Sequence, residues 1–138
     1  MAWKVLFTVA LAAALMAQSG ETYKTRLSAV AADARTRPEL AGLGSASAVL
    51  SGSKLTVNGS FDGLRSPATT AQLRAGVAAG VRGPVIQDLT VSKAAAGMIS
   101  GSADLTPQQI ETLHKGGLYI QIASEKAPEG VLWGWLLR

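Results

Sequence analysis

Thr106-Pro107-Gln108-Gln109-Ile110-Glu111-Thr112-Leu113-His114-Lys115-Gly116-Gly117-Leu118, then Tyr119-Ile120-Gln121-Ile122-Ala123-Ser124-Glu125, then Ala127-Pro128-Glu129-Gly130 ahead of Trp133-Gly134-Trp135-Leu136, is the stretch that decides the fold. Thr106 is a good N-cap, and Pro107 suits the first helical position, where no backbone N–H is needed. Ile110 and Leu113 make a short apolar stripe, and Gly116-Gly117 stops the helix. Leu118–Ala123 then reads as a strand, Ala127–Gly130 as a Pro-Gly turn, and Val131–Leu137 as a closing strand. One short helix set among strands predicts a mainly β protein in which the helix is an outer crossover.

Upstream, alternation with a period of two recurs. In Glu21–Ala29, Tyr23, Thr25 and Leu27 face one way and Thr22, Lys24 and Arg26 the other, the pattern of a half-buried strand. Gly44–Leu50 and Lys54–Phe61 flank Ser51-Gly52-Ser53, a hairpin connection, with Leu55, Val57, Gly59 and Phe61 on one face. Ala71–Ala75, Val85–Ser92 and Met98–Leu105 add three more strands, and Pro38 makes Ala31–Leu40 a loop. Seven or eight short strands separated by turn signals predict an antiparallel sandwich or barrel.

The first residues form a unit of their own. Met1-Ala2-Trp3-Lys4, an apolar run from Val5 to Ala17, and polar Gln18-Ser19-Gly20-Glu21 have the layout of a secretory signal peptide over residues 1–19. The run is shorter than the ~20 apolar residues a membrane span needs. Cleavage after Ala17 and cleavage after Ser19 both satisfy the small-residue rule, and 20–138 is then a single domain. Of 13 Lys and Arg, Lys4 departs with the leader, leaving 12 against 9 acidic residues, a net +3. These cations are scattered and aromatic residues are few, which argues against nucleic acid and against a polybasic membrane anchor. With no cysteine in the chain, a disulfide framework and thiolate chemistry are excluded.

Two blocks together carry a family resemblance. The first is Ala71-Gln72-Leu73-Arg74-Ala75-Gly76 through Gly80-Val81-Arg82-Gly83-Pro84-Val85-Ile86; the second is the stretch 106–136 quoted above. Their order and spacing resemble the chordin-type (CHRD) domain across most of Tyr23–Leu137. The resemblance implies an immunoglobulin-like Greek-key antiparallel β-sandwich, similar in outline to the copper–zinc superoxide dismutases. It also implies a His-x-His strand in the first block and a histidine at the end of the strand in the second. The positions in this chain are Gln72, Arg74 and Ala123.

Residues i and i+2 of a strand project from one face about 7 Å apart, so two imidazoles there and a third from a neighbouring strand would suit copper or zinc. Gln72 is a poor ligand, Ala123 is none, and the permanent cation of Arg74 repels a metal ion. The expected site is therefore a vestigial one with no metal and no cofactor. Gln121 is expected on the same face, with Asp88 or Glu125 as a counter-charge for Arg74. An Arg–carboxylate pair filling the vacated place is the plainer expectation; a small anion or carbohydrate pocket on Arg74 is the other.

His114, the only histidine, is expected to cap the helix C-terminus, where its cation meets the negative end of the helix dipole. No serine stands in a nucleophile elbow, and the few carboxylates form no glycosidase pair. Trp133 and Trp135 share a strand face, expected to be core or to pack under a loop, with a sugar platform as the rival reading. The whole predicts an exported, non-catalytic binding or structural module of the envelope, secreted or periplasmic. A copper-dependent, superoxide-dismutase-like enzyme is the alternative. The sequence names no protein partner and no oligomeric state.

Overall fold

The computed structural model describes residues 20–30, 40–77 and 82–138. The expected leader at 1–19 and nearly all of the loop expected at 31–40 lie outside the described residues. Within them run β1 (Glu21–Ala29), β2 (Leu43–Ser51), β3 (Lys54–Asp62), β4 (Ala68–Ala75), β5 (Val85–Val91), β6 (Gly97–Asp104), helix α1 (Pro107–His114), β7 (Leu118–Ser124) and β8 (Ala127–Trp135). Every strand pairing is antiparallel, and the spatial order β1-β2-β3-β6-β5-β4-β7-β8 closes on itself as a barrel.

Of the sandwich and the barrel that the strand pattern predicts, the described residues form the closed barrel. Two seams join the four-stranded faces β1-β2-β3-β6 and β5-β4-β7-β8. One is Ser28↔Trp133 with Ala29↔Leu132, the other Thr90↔Ser100 with Val91↔Ile99. Strand twist brings the sheet edges together at these corners, and pairing them removes edges that would otherwise expose unpaired backbone groups.

Period-two patterning fills the interior. Tyr23, Leu27, Ala48, Leu55, Val57, Leu73, Ile99, Ile120, Ile122 and Leu132 form one continuous buried cluster. Their intervening residues on β1, β2 and β3 (Lys24, Arg26, Ser45, Asn58, Ser60) face solvent. β7 departs from this alternation, because all seven of its residues are buried. Leu118, Ile120 and Ile122 point into the barrel, so Tyr119, Gln121 and Ala123 must be covered from outside.

Helix α1 forms where its capping signals place it. Thr106 Oγ1 accepts from the Gln109 N–H at 3.2 Å while Gln109 Oε1 accepts from the Thr106 N–H at 2.9 Å, a reciprocal capping box. Gly116 ends the helix at φ 78°, a conformation that costs glycine nothing. Leu113 anchors the short helix in the core. His114 Nε2 lies 3.0 Å from Glu21 Oε2, and Glu21 also accepts from the Tyr23 hydroxyl. The Arg138 guanidinium approaches the same carboxylate at 3.9 Å and lies over the Tyr23 ring. Strand β1, the helix end and the C-terminal residue thus meet on one carboxylate.

The β7–β8 connection is tighter than its Pro-Gly sequence predicts. Ser124 pairs with Ala127, so the turn is Glu125-Lys126, and Pro128 and Gly130 lie inside β8. An irregularity in register between Ile122 and Ser124 accommodates the proline, which has no N–H to give to a ladder.

Candidate functional site

Gln72, Arg74 and Ala123, the positions expected to form the site, lie on the outer face of β4 and β7. Leu73 and Ile122 point inward and are fully buried, so Gln72 and Arg74 are left on the opposite face. Gln72 stands directly opposite Gln121, Arg74 opposite Tyr119, and Ala123 opposite Thr70. Ala123 is therefore diagonal to Gln72 and two rungs from Arg74, and the β7 residue facing Gln72 is Gln121. On the other side of β4, Gln72 pairs with Asp88 of β5.

Arg74 makes its bonds to amides and not to carboxylates. Its Nε and Nη2 donate to Gln72 Oε1 at 3.1 and 2.8 Å, and its Nη1 donates to the Gly83 carbonyl at 3.2 Å. Gln72 Nε2 in turn donates to Asp88 Oδ1 at 3.3 Å. The counter-charge expected at Arg74 is thus relayed through Gln72, and the ion pairs found among the described residues do not include Arg74. Glu125 has no part in this network. It sits in the β7–β8 turn, six residues along from Tyr119, or about 20 Å at strand rise.

The cover over β7 comes from the connection between β4 and β5. Tyr119 Oη accepts from the Gly83 N–H at 2.9 Å and donates to the Gly83 carbonyl at 3.2 Å. Gly83 is held so close to β4 that a Cβ on it would lie 1.7 Å from the Ala75 carbonyl oxygen, so no side chain fits there. Beside it, the Arg82 guanidinium lies 4.5 Å from the centroid of the Trp133 ring, a cation–π contact. Tyr119 stacks on Trp135 at 4.8 Å, and Trp133 meets Trp135 edge-on at 4.9 Å. Trp133 and Trp135 lie outside the core cluster and form an outer aromatic layer, half-buried beneath Arg82 and against Tyr119. Of the two ordinary readings of this pair, packing under a loop is the one the structure has.

Gln121 is sealed beneath β8. Its Nε2 donates to the Glu129 carbonyl at 3.2 Å, while its Oε1 and the Trp135 Nε1 are buried without a hydrogen-bond partner. An orphaned donor and an orphaned acceptor within one aromatic layer are the two polar costs the site leaves standing.

These residues do not fit copper or zinc. The place of the expected imidazoles holds a guanidinium already bound to the Gln72 amide oxygen, Ala123 brings no donor atom, and the unbonded Gln121 Oε1 opposite is a single weak amide ligand. No group of three or more His, Asp and Glu among the described residues is placed to hold an ion. Arg82, Gly83 and Tyr119 are the residues that the sequence left without a role. Gly83-Pro84 signals a constrained loop, yet nothing local says that Tyr119, 36 residues on, receives it.

No helix among the described residues is long and apolar enough to cross a membrane. Among solved structures, one titled "Crystal Structure Analysis of the clock protein EA4" has a similar fold, with a TM-score of 0.50 at 10% identity. The alignment covers 86% of this chain and 94% of that one, a likeness of fold alone. No match was found among curated proteins. The family described as CHRD domain matches residues 17–136, nearly the whole length, and by that match the chain belongs to the CHRD domain family.

Proposed function

We propose that this CHRD domain is an exported, non-catalytic binding or structural module of the envelope or extracellular space. In this reading the family's metal position has been refilled by a hydrogen-bonded bracket. The observation that carries the proposal is the Arg74 fork on Gln72 Oε1 and the Gly83 carbonyl. A side chain with three of its five N–H donors held by fixed internal acceptors is a structural tie, which also weakens the reading of Arg74 as an anion receptor. Residues 1–19 would be the leader, with cleavage after Ala17 or Ser19, and the mature chain would act in a periplasm or outside the cell. The strand order, with β3 beside β6 and β4 beside β7, supports a Greek-key kinship with the superoxide-dismutase outline.

The experiment is metal loading of the purified mature domain. Copper and zinc are added in slight excess, unbound ion is removed, and bound metal is measured alongside superoxide dismutation. The expected result is no stoichiometric metal and no activity above that of free ion. One tightly held copper per chain would overturn the proposal in favour of the copper enzyme.

A further inference from the structure

We propose that the outer face of β1-β2-β3-β6, the barrel face that does not carry Arg74 and Tyr119, binds a carboxylated polysaccharide along a shallow groove. This deepens the binding-module reading and rests on it. Copper uptake would overturn that reading without touching the groove, whereas failure of the groove would leave a module with another ligand.

Strand register sets the groove's chemistry in rows. Arg26, Ser45, Ser60 and Met98 form one row, and Lys24, Ser47, Asn58 and Ser100 the next. All of them but Ser100 line a groove of about 680 Å³. A second groove of about 630 Å³ continues it toward Leu43 and Asp62, sharing Arg26, Ser45 and Ser60. Two grooves with a common wall suit an extended chain better than a single small solute.

Charge and polarity narrow the ligand. Lys24 and Arg26 project from the same face of β1, about 7 Å apart, both exposed and in no ion pair among the described residues. The two rows contain no carboxylate. The nearest on this face, Asp62, stands one row further on, opposite Leu43. Serine hydroxyls and the Asn58 amide both donate and accept, which matches a ligand that itself carries hydroxyls. Met98 is 65% exposed and offers a narrow apolar surface for the C–H face of a sugar ring.

Other anions fit less well. The rows carry no aromatic ring on which a base would stack, and two cations are few for a phosphate backbone. Single exposed apolar residues make no lipid-sized patch. A chain bearing one carboxylate and several hydroxyls per unit meets both the cations and the polar rows.

The test is calorimetric titration of the mature domain with an oligogalacturonate, with neutral dextran and a single-stranded oligonucleotide of matched charge as comparators. Binding of the oligogalacturonate alone is expected. The double variant Lys24→Ser/Arg26→Ser should weaken it at least tenfold, as should Asn58→Asp, which places a carboxylate mid-groove. Arg65→Ser/Lys126→Ser, removing the same charge elsewhere, should change it less than twofold. All five positions are exposed, and a thermal melt confirms that each variant is folded. The proposal is overturned if the wild type ignores the oligogalacturonate, if either comparator binds equally well, if the groove variants bind undiminished, or if the control variant loses as much.

Discussion

Tyr119→Phe tests whether the β4–β5 connection is held down by one phenol. The substitution keeps the ring on Trp135 and deletes the oxygen that bonds both the N–H and the carbonyl of Gly83. Each such hydrogen bond contributes about 1 kcal/mol net. Gly83 is only half-buried, so water can reach part of what is lost, and the expected cost is about 1–2 kcal/mol. For a domain of this size that lowers Tm by about 3–8 °C. Tyr119→Ala removes a fully buried ring as well and should cost about 3–5 kcal/mol. Urea unfolding followed by fluorescence reads the result where it matters, because Trp133 and Trp135 flank the substitution. Arg74 Nη1 donates to the same Gly83 carbonyl, so the effects of Tyr119→Phe and Arg74→Met should fail to add by at least ~0.5 kcal/mol. If Tyr119→Phe costs under ~0.3 kcal/mol, or adds perfectly with Arg74→Met, the clamp does not exist.

Three further outcomes are expected. Leu73→Ala, in the fully buried centre of β4, should destabilise by about 2–5 kcal/mol with an unchanged urea m-value; a smaller loss would mean that the site is loosely packed. The Tyr23 hydroxyl bond, opposed in part by burial and helped by His114 and Arg138, holds the Glu21 carboxyl below its ordinary value. Burial and the Glu21 bond push the Tyr23 phenol up to about 12. A depressed carboxyl contributes stability above its unfolded pKa, lost as pH falls through the folded one. A raised phenol contributes stability below pH 10, lost as pH rises from 10 through 12. Denaturant midpoints against pH should therefore fall at both ends, and Tyr23→Phe should flatten the alkaline limb; an alkaline limb identical to wild type would refute the assignment. Finally, Gln72→His/Arg74→His/Ala123→His should fold and stay free of tightly held copper, because Ala123 lies two rungs, about 13 Å along the strand, from Arg74; a copper spectrum with three imidazole ligands would refute that register.

Much of the barrel was legible because each strand announces itself locally. Tyr23 and Leu27, or Leu55, Val57 and Phe61, are buried at every second residue, and a period of two is readable without knowing the partner strand. Thr106-Pro107 and Gly116-Gly117 bound the helix by backbone requirements that are equally local. The start of β8 was hidden because Pro128 and Gly130 are turn residues by propensity, and only pairing with β7 makes them strand. The candidate face was legible as a face, since Gln72 and Arg74 share phase on β4. Its contents were not. The Gln72 amide relaying Arg74 to Asp88, and Gly83 docking on Tyr119, join residues 16 and 36 positions apart. The same distance problem hid Glu21 from His114, 93 residues away.

The two faces of the barrel have been given different work by the same geometry. On β5-β4-β7-β8, the Gly83 carbonyl receives both Arg74 and Tyr119, so this end of the β4–β5 connection is fastened by hydrogen bonds. That fastening covers Tyr119, and Arg82 beside it half-covers Trp133, while β8 itself covers Gln121. A face closed in this way offers a partner little unless the loop lifts, and lifting it means breaking bonds that the phenol and the guanidinium share. On β1-β2-β3-β6 the outward rows of serine, asparagine, lysine and arginine carry no such cover among the described residues and make no ion pair that would have to be broken first. Recognition therefore costs least on the hydroxyl-rich face, and substitutions there should change binding without changing stability, while substitutions at Tyr119 should do the reverse.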